Sequence, residues 1–247
     1  MTTTLTVVTG GSSGIGLAFV RDALERGDRV LEVSRSGPPA ELRDRLEHID
    51  ADLARPSSWP HVGASVAAAV ARLEEGDRVI ALHAAATIAP IGFAGEVDGD
   101  AYTAAALLNA AAPPALGALL LRACVHREDL RRQLCMISSG ASTSAYAGWS
   151  AYCAGKAATD QWVRTVGVEQ AERGGVEVSA VAPGVVETGM QEQIRGTDER
   201  DQPTVDRFRQ LHEQGELDDP TGVALRLREL LDRGTGQGAV LDLRQLG

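Results

Sequence analysis

The sequence predicts one doubly wound α/β domain, a parallel sheet of about seven strands with helices on both faces. Three observations carry that expectation. Short runs of β-branched and aliphatic residues alternate with amphipathic stretches along the whole chain. The first run opens directly into a glycine-rich turn, TGGSSGIG. No Pro/Gly/Ser-rich linker divides the 247 residues, a length that a single α/β domain fills.

Taken in order, the strand candidates are LTVVT (5–9), RVLEVS (29–34), RVIALH (78–83), QLCMIS (133–138), VEVSAVA (176–182) and AVLDL (239–243), with LEHIDADL (46–53) supplying one more short strand. Each is nearly continuous in apolar residues, as strands covered on both faces are. Between them, GLAFVRDALERG (16–27), SVAAAVARLEEG (65–76) and TGVALRLRELLDRG (221–234) have helical periodicity. The stretch AAALLNAAAPPALGALLL (104–121) is the most membrane-like. Asn109 and the Pro113–Pro114 pair interrupt it, so it reads as a buried helix of a soluble protein. Residues 188–220 are polar, charged and long for a connection, which predicts a mobile flap with short helices of its own.

A formal net charge of −10 argues against a nucleic-acid partner. Cys124, Cys135 and Cys153 have neither disulfide-framework nor zinc spacing, so no metal is expected and a reducing cytoplasm is. The N-terminus lacks the basic and apolar regions of a signal peptide, and no membrane association is expected.

The glycine turn gives the first chemical assignment. Gly10, Ser12, Ser13, Gly14, Ile15 and Gly16 lie between the first strand and the first helix, where glycines permit a close backbone approach and the helix N-terminus offers free N–H groups to a pyrophosphate. The spacing is G-x-x-x-G-x-G rather than the commoner G-x-G-x-x-G, and the glycines are either plain turn glycines or, as their place between first strand and first helix favours, a Rossmann-type dinucleotide site. The second strand ends in Ser34-Arg35-Ser36. Arg35 is either a solvated loop cation or the partner of a 2′-phosphate, and its place after this strand favours NADP(H) over NAD. Glu32 lies inside the strand, too early to reach a ribose. Asp52 is either a contact to the adenine amino group or a helix cap.

The second assignment comes from Tyr152 and Lys156 in WSAYCAGKAA (149–158), which stack on one face of a helix, one turn apart. Reduction of a carbonyl by hydride needs a proton for the developing alkoxide. A tyrosine with a pKa of about 10 is a poor donor near neutrality, but an ammonium about 4 Å away contributes roughly 4 kcal/mol, about three pK units, and predicts a Tyr152 pKa near 7. Ser139 ends a strand, facing the crevice of an open α/β sheet, where it can orient the carbonyl oxygen. In a helix the carbonyl of Asn109 would accept from residue 113, which is proline, so that oxygen is left free. The result is either a water-binding carbonyl or a simple kink.

With TGGSSGIG, Asn109, Ser139, Tyr152-x-x-x-Lys156 and APGVVETGM (182–190), the chain resembles the short-chain dehydrogenase/reductase family over nearly its whole length. The resemblance implies a catalytic set of Asn109, Ser139, Tyr152 and Lys156, with a water on the Asn109 carbonyl relaying protons to Lys156. It also implies that Lys156 holds the nicotinamide ribose, that Ala85 meets the cofactor, and that Pro183, Gly184, Val186 and Thr188 line its nicotinamide end. Tyr146 and Trp149, before the active helix, either wall a substrate pocket or simply pack. Met190 and Gln191 open the flap towards substrate. A homodimer or homotetramer is implied as well.

Within the family the chain resembles the benzil reductase and sepiapterin reductase group, which reduces small, often vicinal, dicarbonyls with NADPH. The C-terminal carboxylate that anchors pterins is replaced by Gln245, which favours a benzil-reductase-like role with a small-molecule carbonyl substrate. The family's N-N-A-G after the fourth strand is here His83-Ala84-Ala85-Ala86, which implies weaker hydrogen bonding within the sheet and a methyl near the cofactor ribose. His83 reads as a structural substitute. Two competing readings are an NAD-dependent alcohol dehydrogenase and a nucleotide-binding regulatory protein without turnover.

Overall fold

The computed structural model describes residues 2–246. Seven parallel strands form one sheet: β1 (Thr4–Thr9), β2 (Arg29–Ser34), β3 (Glu47–Asp50), β4 (Arg78–His83), β5 (Arg131–Ile137), β6 (Glu177–Ala182) and β7 (Ala239–Asp242). Their order across the sheet is β3-β2-β1-β4-β5-β6-β7, every neighbouring pair parallel. Each run expected from the sequence forms a strand; β1, β2, β4, β5 and β6 are buried along nearly their whole length, whereas the edge strand β3 buries only Ile49.

The helices are α1 (Gly14–Glu25), α2 (Trp59–Val70), α3 (Gly99–Ala106), α4 (Ala112–Ala123), α5 (Ser150–Arg173), α6 (Gly189–Arg195), α7 (Val205–Glu213) and α8 (Pro220–Arg233). One core, built on Leu5, Val7, Leu134, Met136, Val178 and Ala180, packs under α2, α4 and α5. The other, built on Val8, Ile80, Leu82, Cys135 and Val181, packs under α1 and α8. The alternation within each strand thus feeds two separate cores.

Two helices depart from expectation. The second runs Trp59–Val70 rather than 65–76: Pro60 sits in its first turn, where a missing N–H costs nothing, and residues beyond it turn back through Asp77, whose Oδ2 accepts from the Glu74 N–H. The stretch expected as a buried helix over 104–121 belongs to a longer run, α3 and α4 joined by a π-helical turn at Leu107–Ala111. By length and composition this run could cross a membrane. It instead packs Ala112, Leu116 and Leu120 into the first core, while Ala118 and other small residues face outward.

The flap segment contains α6 and α7, pressed back onto the domain. Ile194, Val205 and Phe208 are buried, and burying a phenylalanine of this kind contributes about 2 kcal/mol. Glu187 clamps both helices, accepting from Arg195 Nη2 at 2.8 Å and pairing with His212 Nδ1 at 2.8 Å. The sheet order reverses between β1 and β4, and the crevice at such a switch point lies outside the C-terminal strand ends. That crevice is the site.

Candidate active site

A cleft of about 490 Å³ opens there, and with the exception of Asn109 every site residue expected from the sequence lines it. Its floor is the turn after β1. Gly10 adopts φ +73°, and a Cβ there would lie 2.8 Å from the backbone of Ala85. A Cβ on Gly16 would lie 2.3 Å from the Gly10 carbonyl oxygen. Only glycine fits either position, and the turn hands the free N–H groups of the first turn of α1 to the cleft. Ser13, the residue before α1, spends no side-chain bond on capping, so its hydroxyl remains available. This cradle fits a dinucleotide pyrophosphate.

At the end of β2, Arg35 is exposed, lines the cleft, and has no hydrogen bond or ion pair among the described residues. Asp52 lines the cleft too, yet its carboxylate is engaged: Oδ1 accepts from the Ala54 N–H at 3.1 Å and Oδ2 lies 3.3 Å from Arg55 Nε. Asp52 therefore braces its own turn rather than capping a helix, since the N-cap positions that follow are Arg55 and Ser58. Glu32 is fully buried beneath the turn, with Oε2 2.7 Å from His48 Nδ1, and does not open onto the cleft.

The altered segment after β4 finds its own compensation. His83 Nδ1 lies 2.8 Å from Thr9 Oγ1, which ties β4 to β1 where sheet bonding would otherwise weaken. Burial holds the imidazole far below its usual range, at about 3, with the Lys156 charge pushing the same way. It is a neutral structural group. The extra methyl of Ala86 packs against the apolar cluster around Ile88, Trp149 and Tyr152.

The first turns of α5 bring Tyr152 and Lys156 to the sheet, both buried. Lys156 Nζ donates to the Ile137 carbonyl at 2.6 Å and stands 5.6 Å from the centre of the Tyr152 ring. Burial pulls the ammonium down to about 8, while Asp160 pushes it up. Ser139 precedes a short 3-10 turn and accepts the Ala141 N–H at its hydroxyl.

The expectation of a Tyr152 pKa near 7 is corrected. Burial pushes the phenol up to about 12, opposed only by the neighbouring Ser139 hydroxyl, with Cys153 adding to the rise. Burial outweighs any help from the Lys156 ammonium, which stands 5.6 Å from the ring centre and donates to the Ile137 carbonyl.

Asn109 lies behind the cleft, in the π-helical turn. Its side chain clips the loop after β4: Nδ2 donates to the Thr87 carbonyl at 2.8 Å, and the Thr87 N–H donates to Oδ1 at 3.0 Å. Its main-chain carbonyl has no helical partner, since residues four and five ahead are Pro113 and Pro114. That oxygen faces α5, 3.0 Å from where a Cβ of Gly155 would stand.

The substrate side is aromatic. Tyr146 stacks on Trp149 with centroids 4.8 Å apart, Trp149 meets Tyr152 edge-on at 6.2 Å, and Phe208 from α7 closes on Trp149 at 5.1 Å. Tyr146 and Trp149 therefore both pack and wall the cleft, with Met190 and Ile194 beside them. Sequence reasoning missed Phe208, Arg207, Ile88 and Arg244, which also line it. The signal for Phe208 was slight: it is the single phenylalanine of the flap, and its sequence neighbours do not say where it points.

Comparison with known proteins accords with this geometry. A family model described as short chain dehydrogenase matches residues 4–199. The chain is similar to a benzil reductase ((S)-benzoin forming) of Bacillus subtilis, 32% identical over 245 residues and 98% of each chain. It is similar to a sepiapterin reductase of Rattus norvegicus, 37% identical over 49% of this chain and 45% of the other. A solved short chain dehydrogenase/reductase from Saccharomyces cerevisiae superposes with a TM-score of 0.79 at 27% identity, covering 97% of this chain and 96% of that one. An oxidoreductase cleft built on this glycine turn, this seven-stranded sheet and this Tyr/Lys helix makes the chain a member of the short-chain dehydrogenase/reductase family.

Proposed function

We propose that the protein is an NADPH-dependent carbonyl reductase acting on a small ketone or vicinal diketone. One observation carries the reading: Tyr152, Lys156 and Ser139 converge at the aromatic end of a single cleft, while Arg35, unpaired among the described residues, waits three strands away at its other end. The benzil reductase relatives support a dicarbonyl substrate.

The glycine turn and the first turn of α1 would hold the pyrophosphate of the dinucleotide. Arg35 would pair with its 2′-phosphate, and Pro183, Gly184, Val186 and Thr188 would line its nicotinamide end. The bound dihydronicotinamide supplies the hydride. Ser139 orients the carbonyl oxygen by donating its hydroxyl proton into a hydrogen bond, and Tyr152 gives the proton that converts the developing alkoxide to an alcohol. Lys156, charged beside Tyr152, stabilises the tyrosinate left behind and donates to the ribose hydroxyls. The free Asn109 carbonyl binds a water through which the proton is replaced. Tyr146, Trp149 and Phe208 exclude water from the reacting carbon and favour flat, apolar substituents.

The outward small-residue surface of α3 and α4, with Val168 exposed on α5, supports a homodimer or homotetramer. The buried thiols Cys124 and Cys135 support a reducing cytoplasm as the working compartment.

Absorbance at the reduced-nicotinamide band tests the reading, with NADPH or NADH and a panel of diketones, aromatic ketones, aldehydes and sepiapterin. Diketone-dependent oxidation of NADPH in preference to NADH is the expected result. Turnover with NADH alone, or alcohol oxidation without ketone reduction, would replace it with the dehydrogenase reading.

A further inference from the structure

Asp160 follows Lys156 by one turn of α5, on the same buried face of the helix. It is 1% exposed, and neither of its carboxylate oxygens has a hydrogen-bond partner among the described residues. A carboxylate so placed is unstable unless a positive charge compensates it or it takes up a proton. Its charge is felt at Lys156. Arg164, one turn further on, is exposed and makes no ion pair with it among the described residues.

Lys156 has the matching need. Its ammonium is 5% exposed and has one protein acceptor, the Ile137 carbonyl. An ammonium buried in this way tends to shed its proton. The other titratable groups that face it give no negative charge near neutrality: His83 from the end of β4 is neutral, and Tyr152 on α5 is protonated. Among the elements packed on α5, the π-helical turn contributes no ionisable side chain. Glu177 at the start of β6 is bonded to Thr235, Asp242 of β7 is paired with Arg244, and Tyr102 of α3 is bonded to Ser150.

We propose that Asp160 is a positioning residue for the reaction, the buried counter-charge that keeps Lys156 in its ammonium form beside Tyr152. Asp160 touches neither substrate nor cofactor. It acts through Lys156, and so sets the upper pH limit over which the lysine grips the ribose and supports the tyrosine. The inference rests on the proposed role of the Tyr152/Lys156 pair, but part of its test does not need turnover.

The test compares the whole protein with Asp160→Asn and Asp160→Glu across pH 6–10. Two readouts are taken: NADPH binding by nucleotide fluorescence, and kcat for diketone reduction. With the carboxylate gone, Lys156 loses its proton at lower pH, so the alkaline limb of both profiles moves down by about one pH unit in Asp160→Asn. Asp160→Glu keeps the limb within about 0.3 unit of wild type. A merely structural role would lower the melting temperature or kcat without moving either limb, and that outcome overturns the proposal. If Asp160→Asn does not fold, Asp160→Ala takes its place: a lowered alkaline limb supports the requirement for charge, and an unmoved one overturns it. If no carbonyl is reduced by wild type, the reductase reading fails, yet the binding limb still judges Asp160.

Discussion

The main-chain carbonyl of Asn109 faces Gly155 so closely that a Cβ on the glycine would lie 3.0 Å from that oxygen and 2.5 Å from the Asn109 Cβ. The residue before the active lysine is therefore glycine because a π-helical turn, emptied of donors by two prolines, must lie against it. Gly155→Val drives the two helices apart. It is expected to destabilise the fold by about 1–3 kcal/mol, read by denaturant unfolding, and to lower kcat through displacement of Lys156.

Pro113→Ala returns an N–H to the turn and offers the Asn109 carbonyl a partner within the helix. Thermal stability is expected to hold or rise. A fall in kcat of roughly tenfold, smaller than loss of a proton donor outright, is expected with an increased solvent isotope effect. An unchanged rate would remove the Asn109 carbonyl from proton replacement.

Arg35→Ser removes the unpaired cation at the end of β2. Charge-assisted hydrogen bonds contribute about 1.5–3 kcal/mol, so NADPH binding weakens roughly 10- to 100-fold while NADH binding stays as it was. Titration calorimetry with both nucleotides checks this. Equal loss for both would make Arg35 a loop cation only.

His83 is held at about 3 by burial, against an unfolded value near 6.5. Between those values the unfolded chain binds the extra proton, so this residue's contribution is complete above about pH 6.5 and is lost as pH falls towards 3. His83→Asn, which can still bond Thr9, is expected to flatten the acid dependence of stability by up to about 1.4 kcal/mol per pH unit. Melting curves from pH 4 to 7 on both proteins provide the comparison.

How much of this was written in the sequence depends on distance along the chain. The edge strand β3 apart, the strands and the glycine turn were legible because each is local: a largely apolar run, or a turn that only glycine can make. Tyr152, Lys156 and Ser139 were legible because helix spacing and a strand end fix where they point. Phe208 was not, since nothing in its neighbourhood says that α7 folds back over Trp149. The Tyr152 pKa was misjudged for a related reason: spacing gives the lysine's face, while the burial that pushes the phenol up comes from segments distant in the chain. The boundary of α2 moved because Pro60 starts a helix as readily as it ends one.

The central claim, that Tyr152 is the proton donor of an NADPH-dependent carbonyl reduction, is tested most directly by the Tyr152→Phe variant at saturating NADPH with benzil as substrate. Loss of one buried hydroxyl leaves the cleft's shape and NADPH binding intact, and kcat is expected to fall roughly 10²–10⁴-fold. A variant that binds NADPH and reduces benzil at the wild-type rate would contradict the account.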